Sequence, residues 1–288
     1  MRNGLLKTVA GLVAGLCLSA PLGAAPAAHA ALAGNIVTLG DSYTSNPDQI
    51  RNALRGIPIP AVHDYAWDYP SRTGCLQAPN NWPRKLEAKT GLPLADWSCT
   101  AQTSQSVLSR LDRAIAAGDI HPGTRAVILS VGINDYGPSG VQPEFQPWNP
   151  ATMTSDYVSN IQSAAKRIRS AAPGTKIIVS GMISVSSPFP PHMFCPLNVV
   201  PNAPAGFPLP QLQGVEAATE SNQRAAAAAA GATFADMRMP SANHGTCAPD
   251  GQRYVAGAID TTTPSYNMNL HPSDLGSEFI ADRLTQFV

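Results

Sequence analysis

Ile36-Val37-Thr38-Leu39-Gly40-Asp41-Ser42-Tyr43 is the stretch on which the rest of the chain is read. A short run of apolar and β-branched residues ends on a glycine, and an acidic residue and a serine follow at once. Such an unbroken run fits a strand buried on both faces, as in a parallel sheet. A serine at the exit of that strand, among small and acidic neighbours, presents its hydroxyl clear of the sheet.

Four more runs share this character. Candidate strands are therefore 35–40, 94–98, 126–131, 176–181 and 232–236. Helical patterns separate them, at 82–90, 104–117, 151–171, 212–230 and 273–286. Thr154, Tyr157, Ile161, Ala164 and Ile168 follow helical spacing, and Pro173-Gly174 ends that segment. The run Ala225–Ala230 favours helix, and Gly231 is placed to stop it. Alternation of this kind predicts a three-layer α/β/α domain with a central parallel sheet of about five strands. Ligand sites in such sheets lie beyond the carboxyl ends of the strands, where Ser42 and Asn134 both fall. Residues 43–81 and 183–211 do not fit the minimal pattern. They read as long loops rich in Pro, Asn and aromatics, and long loops are usually functional or covering segments.

The first 30 of the 288 residues read as a signal peptide, with the domain proper at 31–288. Arg2 and Lys7 open it, an apolar stretch runs from Val9 to about Pro21, and Ala28-His29-Ala30 supplies the small-x-small cleavage pattern. That stretch is too short for a convincing membrane span. Removing residues 1–30 takes two of the 19 basic residues and none of the 19 acidic ones, leaving a net charge of −2. This balance gives no footprint for nucleic acid or an anionic membrane. Four cysteines remain in the exported part: Cys75, Cys99, Cys195 and Cys247. Three pairings are open, and Cys75–Cys99 with Cys195–Cys247 is favoured because each would tie a loop-rich excursion. None has CxxC spacing, so no metal is expected, and no motif calls for a cofactor. A secreted monomer is expected.

Three groups of residues carry chemistry. Ser42 is the candidate nucleophile. Asn134, in Gly132-Ile133-Asn134-Asp135 after the 126–131 strand, is a candidate oxyanion donor. His271, followed by Pro272 at the entrance of the last helix, is the candidate base. Together they are the parts needed for acyl transfer through a serine.

In this order the three blocks resemble the SGNH, or GDSL, hydrolases, and most of all the secreted actinobacterial esterases and lipases. The resemblance spans residues 36–287. It implies a flavodoxin-like α/β/α sandwich that hydrolyses carboxylic esters, with Ser42 as nucleophile, its own N–H feeding the oxyanion hole beside Asn134, and His271 as base. Two positions depart from the family pattern. Cys99-Thr100-Ala101-Gln102-Thr103 places Ala101 where a glycine N–H usually joins the oxyanion hole. Met268 stands three residues before His271, where the family carries an acidic partner. A Ser–His dyad is therefore expected, its imidazole oriented by the main-chain carbonyl of Met268, with Asn267, Asn269 and Asp274 as further candidates. The expected substrate is a small-molecule or lipid ester. A cell-envelope acyltransferase or carbohydrate deacetylase would use the same site, and a non-catalytic envelope-binding protein is the alternative of another class. The chain has no G-x-S-x-G elbow, P-loop, G-x-G-x-x-G or H-E-x-x-H.

Overall fold

Five short strands pair in parallel: β1 (Ile36–Gly40), β2 (Leu94–Asp96), β3 (Ala126–Ser130), β4 (Lys176–Ser180) and β5 (Thr233–Ala235). Their order is β2-β1-β3-β4-β5, the flavodoxin-like order. The structure, a computed structural model, describes residues 34–136 and 150–288. The expected signal peptide at 1–30 lies outside the described residues.

Strand periodicity splits the apolar side chains between two faces. Val37, Leu39, Val127, Leu129 and Val179 face one layer, while Ile36, Ala126, Ile128 and Ile178 face the other. Helices α2 (Val107–Ala116), α3 (Pro150–Ala171) and α4 (Pro210–Ala230) cover the first face, through residues such as Leu111, Ile161 and Ala226. Helices α1 (Trp82–Thr90) and α5 (Asp274–Thr285) cover the second, through Trp82, Leu86, Ile280 and Leu284. The fold is thus a three-layer α/β/α sandwich. Each fully buried Ile or Leu of the sheet contributes roughly 1.5–3 kcal/mol, which is why short runs rich in apolar residues mark these strands.

Helix ends follow local chemistry. The Asn81 side chain accepts the Arg84 N–H to start α1, and Gly91 ends it at φ 68°. Gly231 ends α4 at φ 59°, as its position after the alanine run implied. Ser273 caps α5 by accepting the Gly276 N–H. The second helix begins at Val107, later than the 104 expected. Thr103 and Ser106 are bonded to each other through their hydroxyls and N–H groups, which holds residues 103–106 in a turn.

The two excursions expected as loops hold structure of their own. Residues 43–81 contain helices at Gln49–Leu54 and Pro60–Trp67 and a ribbon pairing Ser71–Arg72 with Cys75–Leu76. Residues 183–211 contain strands Met193–Asn198 and Ala205–Pro208, which join Ile259–Asp260 in a second small sheet. These elements are short, and Pro196 and a bulge interrupt the longer strand, so no periodic signal builds up. Disulfides join Cys75 to Cys99 and Cys195 to Cys247. The first ties the ribbon to the loop after β2, and the second anchors the small sheet.

Candidate active site

The site begins where β1 ends. The Gly40 carbonyl accepts the Cys99 N–H at 2.9 Å, and the Asp41 N–H donates to the Ser130 carbonyl at 3.2 Å. Gly40 is also the residue paired with Ser130 across β1 and β3. The loops carrying Ser42, Ala101 and Asn134 therefore leave neighbouring strands side by side, at the point where strand order reverses. Gly40 is needed there because a Cβ would run into the Thr44 side chain and lie 2.9 Å from the Ser130 carbonyl oxygen.

Ser42 opens a single helical turn, Ser42–Ser45. Its N–H lies at the start of that turn, where N–H groups have no intrahelical acceptor. Asp41 caps the turn: its Oδ1 accepts the Tyr43 N–H at 2.8 Å. This carboxyl is buried, and burial pushes its pKa from 3.8 up to about 7, against the pull of the Tyr43 N–H bond.

His271 Nε2 lies 2.7 Å from Ser42 Oγ. His271 Nδ1 lies 2.7 Å from the carbonyl oxygen of Asn269. A carbonyl only accepts, so Nδ1 carries the proton and the Nε2 lone pair faces the serine hydroxyl. Burial lowers the His271 pKa, with the Asn269 bond working in the opposite direction. The neutral imidazole is the form this arrangement favours.

The orienting carbonyl belongs to Asn269 and not, as expected, to Met268. Leu270 adopts left-handed backbone at φ 59°. That turn curls the chain so that the carbonyl two residues before the histidine, rather than three, meets Nδ1. Asn269 is itself held, with its N–H on Gln49 Oε1 at 2.9 Å and its side-chain Nδ2 on the Ala258 carbonyl at 2.7 Å. Asp274 points elsewhere: Lys85 Nζ lies 2.9 Å from its carboxylate and Asn80 donates to it at 3.2 Å. Asn267 donates to Asn80 Oδ1 at 2.9 Å.

Asn134 sits in a short 3₁₀ turn, Ile133–Tyr136. Its Nδ2 donates to the Gln102 carbonyl at 3.0 Å, which ties it to the residue after Ala101. An amide nitrogen has two donors, so this bond spends one of them. The next residue, Asp135, accepts the Ser104 N–H at 2.8 Å, and burial raises its pKa. Ala101 adopts φ 63°, the left-handed region that the family's glycine occupies without strain. Gly132 adopts φ 145° against Thr219, Gln223 and Tyr157, where a Cβ would crowd all three. Among the described residues no group of three or more His, Cys, Asp or Glu side chains is placed to hold a metal ion.

With this geometry in place, the comparison with known sequences is decisive. The model of the GDSL-like lipase/acylhydrolase family matches residues 38–279. The chain belongs to that family. The match runs from β1 to α5 and takes in all three blocks. Two solved structures show how this GDSL-like hydrolase relates to others in fold. Phospholipase A1 from Streptomyces albidoflavus is 16% identical with a TM-score of 0.57, the match covering 89% of this chain and 100% of that one. An extracellular lipase from Streptomyces rimosus is 19% identical with a TM-score of 0.55, with the same coverage. No curated protein sequence matches the chain. Two residues that contact the histidine loop escaped sequence reasoning in that role: Tyr43, read as a loop aromatic, and Asn46, which carried no signal.

Proposed function

We propose that this hydrolase is a serine esterase or lipase that cleaves carboxylic esters through an acyl-enzyme on Ser42. The observation that carries the reading is the 2.7 Å contact between Ser42 Oγ and the unprotonated nitrogen of His271. Ser42 Oγ attacks the ester carbonyl carbon while its proton passes to Nε2. The carbonyl π electrons move onto oxygen, and that oxyanion is taken up by the N–H groups of Ser42 and Ala101 and the second amide proton of Asn134. One such donor is worth roughly 3–4 kcal/mol of barrier. The tetrahedral intermediate collapses, the C–O bond to the alcohol breaks, and the imidazolium gives its proton to the departing alkoxide. Water then attacks the acyl-enzyme with His271 again as base, which releases the acid and frees Ser42. The carbonyl of Asn269 holds the tautomer throughout, yet it offers the imidazolium no full charge.

Export is part of the same proposal. It rests on the leader-like first 30 residues, the two disulfides, and the lipase from Streptomyces rimosus, which is described as extracellular. Among the described residues no helix is long and apolar enough to cross a membrane.

The test is hydrolysis of p-nitrophenyl esters of increasing chain length by the wild type and by Ser42→Ala. Loss of turnover in a folded Ser42→Ala variant is expected. Retained wild-type turnover would sink the assignment.

A further inference from the structure

The loop that carries His271 is held from the nucleophile's own helical turn. Tyr43 Oη donates to the Leu270 carbonyl at 2.6 Å. Asn46 Nδ2 donates to the Pro272 carbonyl at 2.9 Å. These carbonyls belong to the residues immediately before and after the histidine. Tyr43 lies in the turn that Ser42 opens and Asn46 ends that turn, so both bonds start from the nucleophile's own segment. The Tyr43 ring also packs on the imidazole, with centroids 4.8 Å apart. Burial pushes the Tyr43 phenol up, so it stays a donor. The His271 carbonyl accepts the Ala256 N–H at 3.1 Å. Every main-chain carbonyl from Asn269 to Pro272 is thus committed to a partner.

This matters because of what replaces the acid. A carboxylate on a side chain can turn to follow an imidazole. A peptide carbonyl goes only where its backbone goes. If the 269–272 loop drifts, Nδ1 and its acceptor separate and Nε2 leaves the serine together. A misplacement of about 1 Å in such a geometry costs on the order of 100-fold in rate. We propose that Tyr43 and Asn46 are positioning residues that clamp the chain on both sides of His271 and keep its imidazole over Ser42, the task an acidic partner performs in a triad. The proposal rests on the esterase reading of the site. It makes the nucleophile turn and the base loop one mechanical unit.

The test uses Tyr43→Phe, Asn46→Ala and the double variant, assayed on a soluble short-chain p-nitrophenyl ester, with a kcat/KM pH profile and thermal unfolding for each. Tyr43→Phe keeps the ring and removes only the bond to Leu270. It should lower kcat about 10-fold and leave KM within about two-fold. Its acid limb should move up toward the ordinary imidazole value, because a loosened ring regains water. Both side chains hold one loop, so the double variant should lose far less than the product of the two single losses. A purely structural role would lower the unfolding temperature and leave the limb unmoved. Wild-type kcat and an unmoved limb in Tyr43→Phe, or fully multiplicative losses, would overturn the clamp. If Asn46→Ala fails to fold, Tyr43→Phe decides alone. An inactive Ser42→Ala beside a wild-type Tyr43→Phe would sink the clamp and spare the esterase reading, whereas an active Ser42→Ala would sink both.

Discussion

Replacing Asp41 by Asn should stabilise the protein at alkaline pH and do little in acid. Asp41 is buried at the foot of the nucleophile turn, and burial raises its pKa from 3.8 to about 7, with the nearby Asp135 carboxylate adding to the rise. The unfolded chain releases this proton near its ordinary value. Between about pH 4 and pH 7 the native state therefore holds a proton that the unfolded state has lost, and stability falls as pH rises through that window. At ~1.4 kcal/mol per pKa unit, the gap corresponds to about 4 kcal/mol above neutral pH, as an upper figure.

Asparagine stays neutral and escapes that cost. Its Oδ1 still accepts the Tyr43 N–H, and Asn is as good a helix cap as Asp. The new NH₂ group needs an acceptor. A cavity of about 10 Å³, lined by Asp41, Ser130 and Gln223 among others, adjoins the carboxyl, and Gln223 Oε1 is buried with no hydrogen-bond partner among the described residues. A water in that space would join the two. Urea denaturation near pH 4 and near pH 8 is the assay. Asp41→Asn should gain about 2–3 kcal/mol near pH 8 and almost nothing near pH 4. Equal effects at both pH values, or a loss of stability near pH 8, would refute the claim that this carboxylate is held at a cost.

Two further outcomes are expected. Burial lowers the His271 pKa below its ordinary 6.5, and only the neutral imidazole can take the serine proton, so kcat/KM should fall with acidity along a limb centred below 6.5; a limb at or above that value would contradict the buried base. Asp274→Asn should leave kcat within a few-fold, because its carboxylate is occupied by Lys85 and Asn80; a drop near the ~10⁴ seen when a true triad acid is lost would show that it serves His271.

The central sheet was legible because its inner strands are buried on both faces. Ile36–Leu39 and Ala126–Leu129 carry no charge, so their runs stand out from the polar turns around them. The excursions were not legible as structure for the opposite reason. The Gln49–Leu54 helix buries none of its residues and the Ala205–Pro208 strand is exposed throughout, so packing leaves no apolar period in their sequence. Ser42 and Asn134 came from short motifs at strand exits, where Gly40 and Gly132 are dictated by close approach of backbone and side chains, and His271 from a motif at the entrance of the last helix. Tyr43 and Asn46 lacked such a mark. Each acts on a partner more than 220 positions away, and nothing in a local window records a contact of that length.

The carbonyl that orients His271 shows most clearly where sequence reasoning stops. Met268 stands where the resemblance implied an acid, and its own peptide oxygen was the expected substitute. Which peptide oxygen depends on one backbone torsion. With Leu270 extended, the Asn269 carbonyl would lie in the hydrogen-bonding plane of the strand while the His271 side chain stood out of that plane, and the two would not meet. At φ 59° Leu270 turns the chain back, and the Asn269 carbonyl comes to 2.7 Å from Nδ1. Leucine pays roughly 1 kcal/mol or more for that conformation, so no propensity would place it there. What holds it is tertiary: the Tyr43 hydroxyl on its carbonyl, and its own N–H on the Ala256 carbonyl at 3.1 Å. The strained residue is thus tied at both its polar groups, one of them from the nucleophile turn. The bonds that hold Leu270 in that turn are therefore what keep a main-chain carbonyl, and no carboxylate, at 2.7 Å from His271 Nδ1.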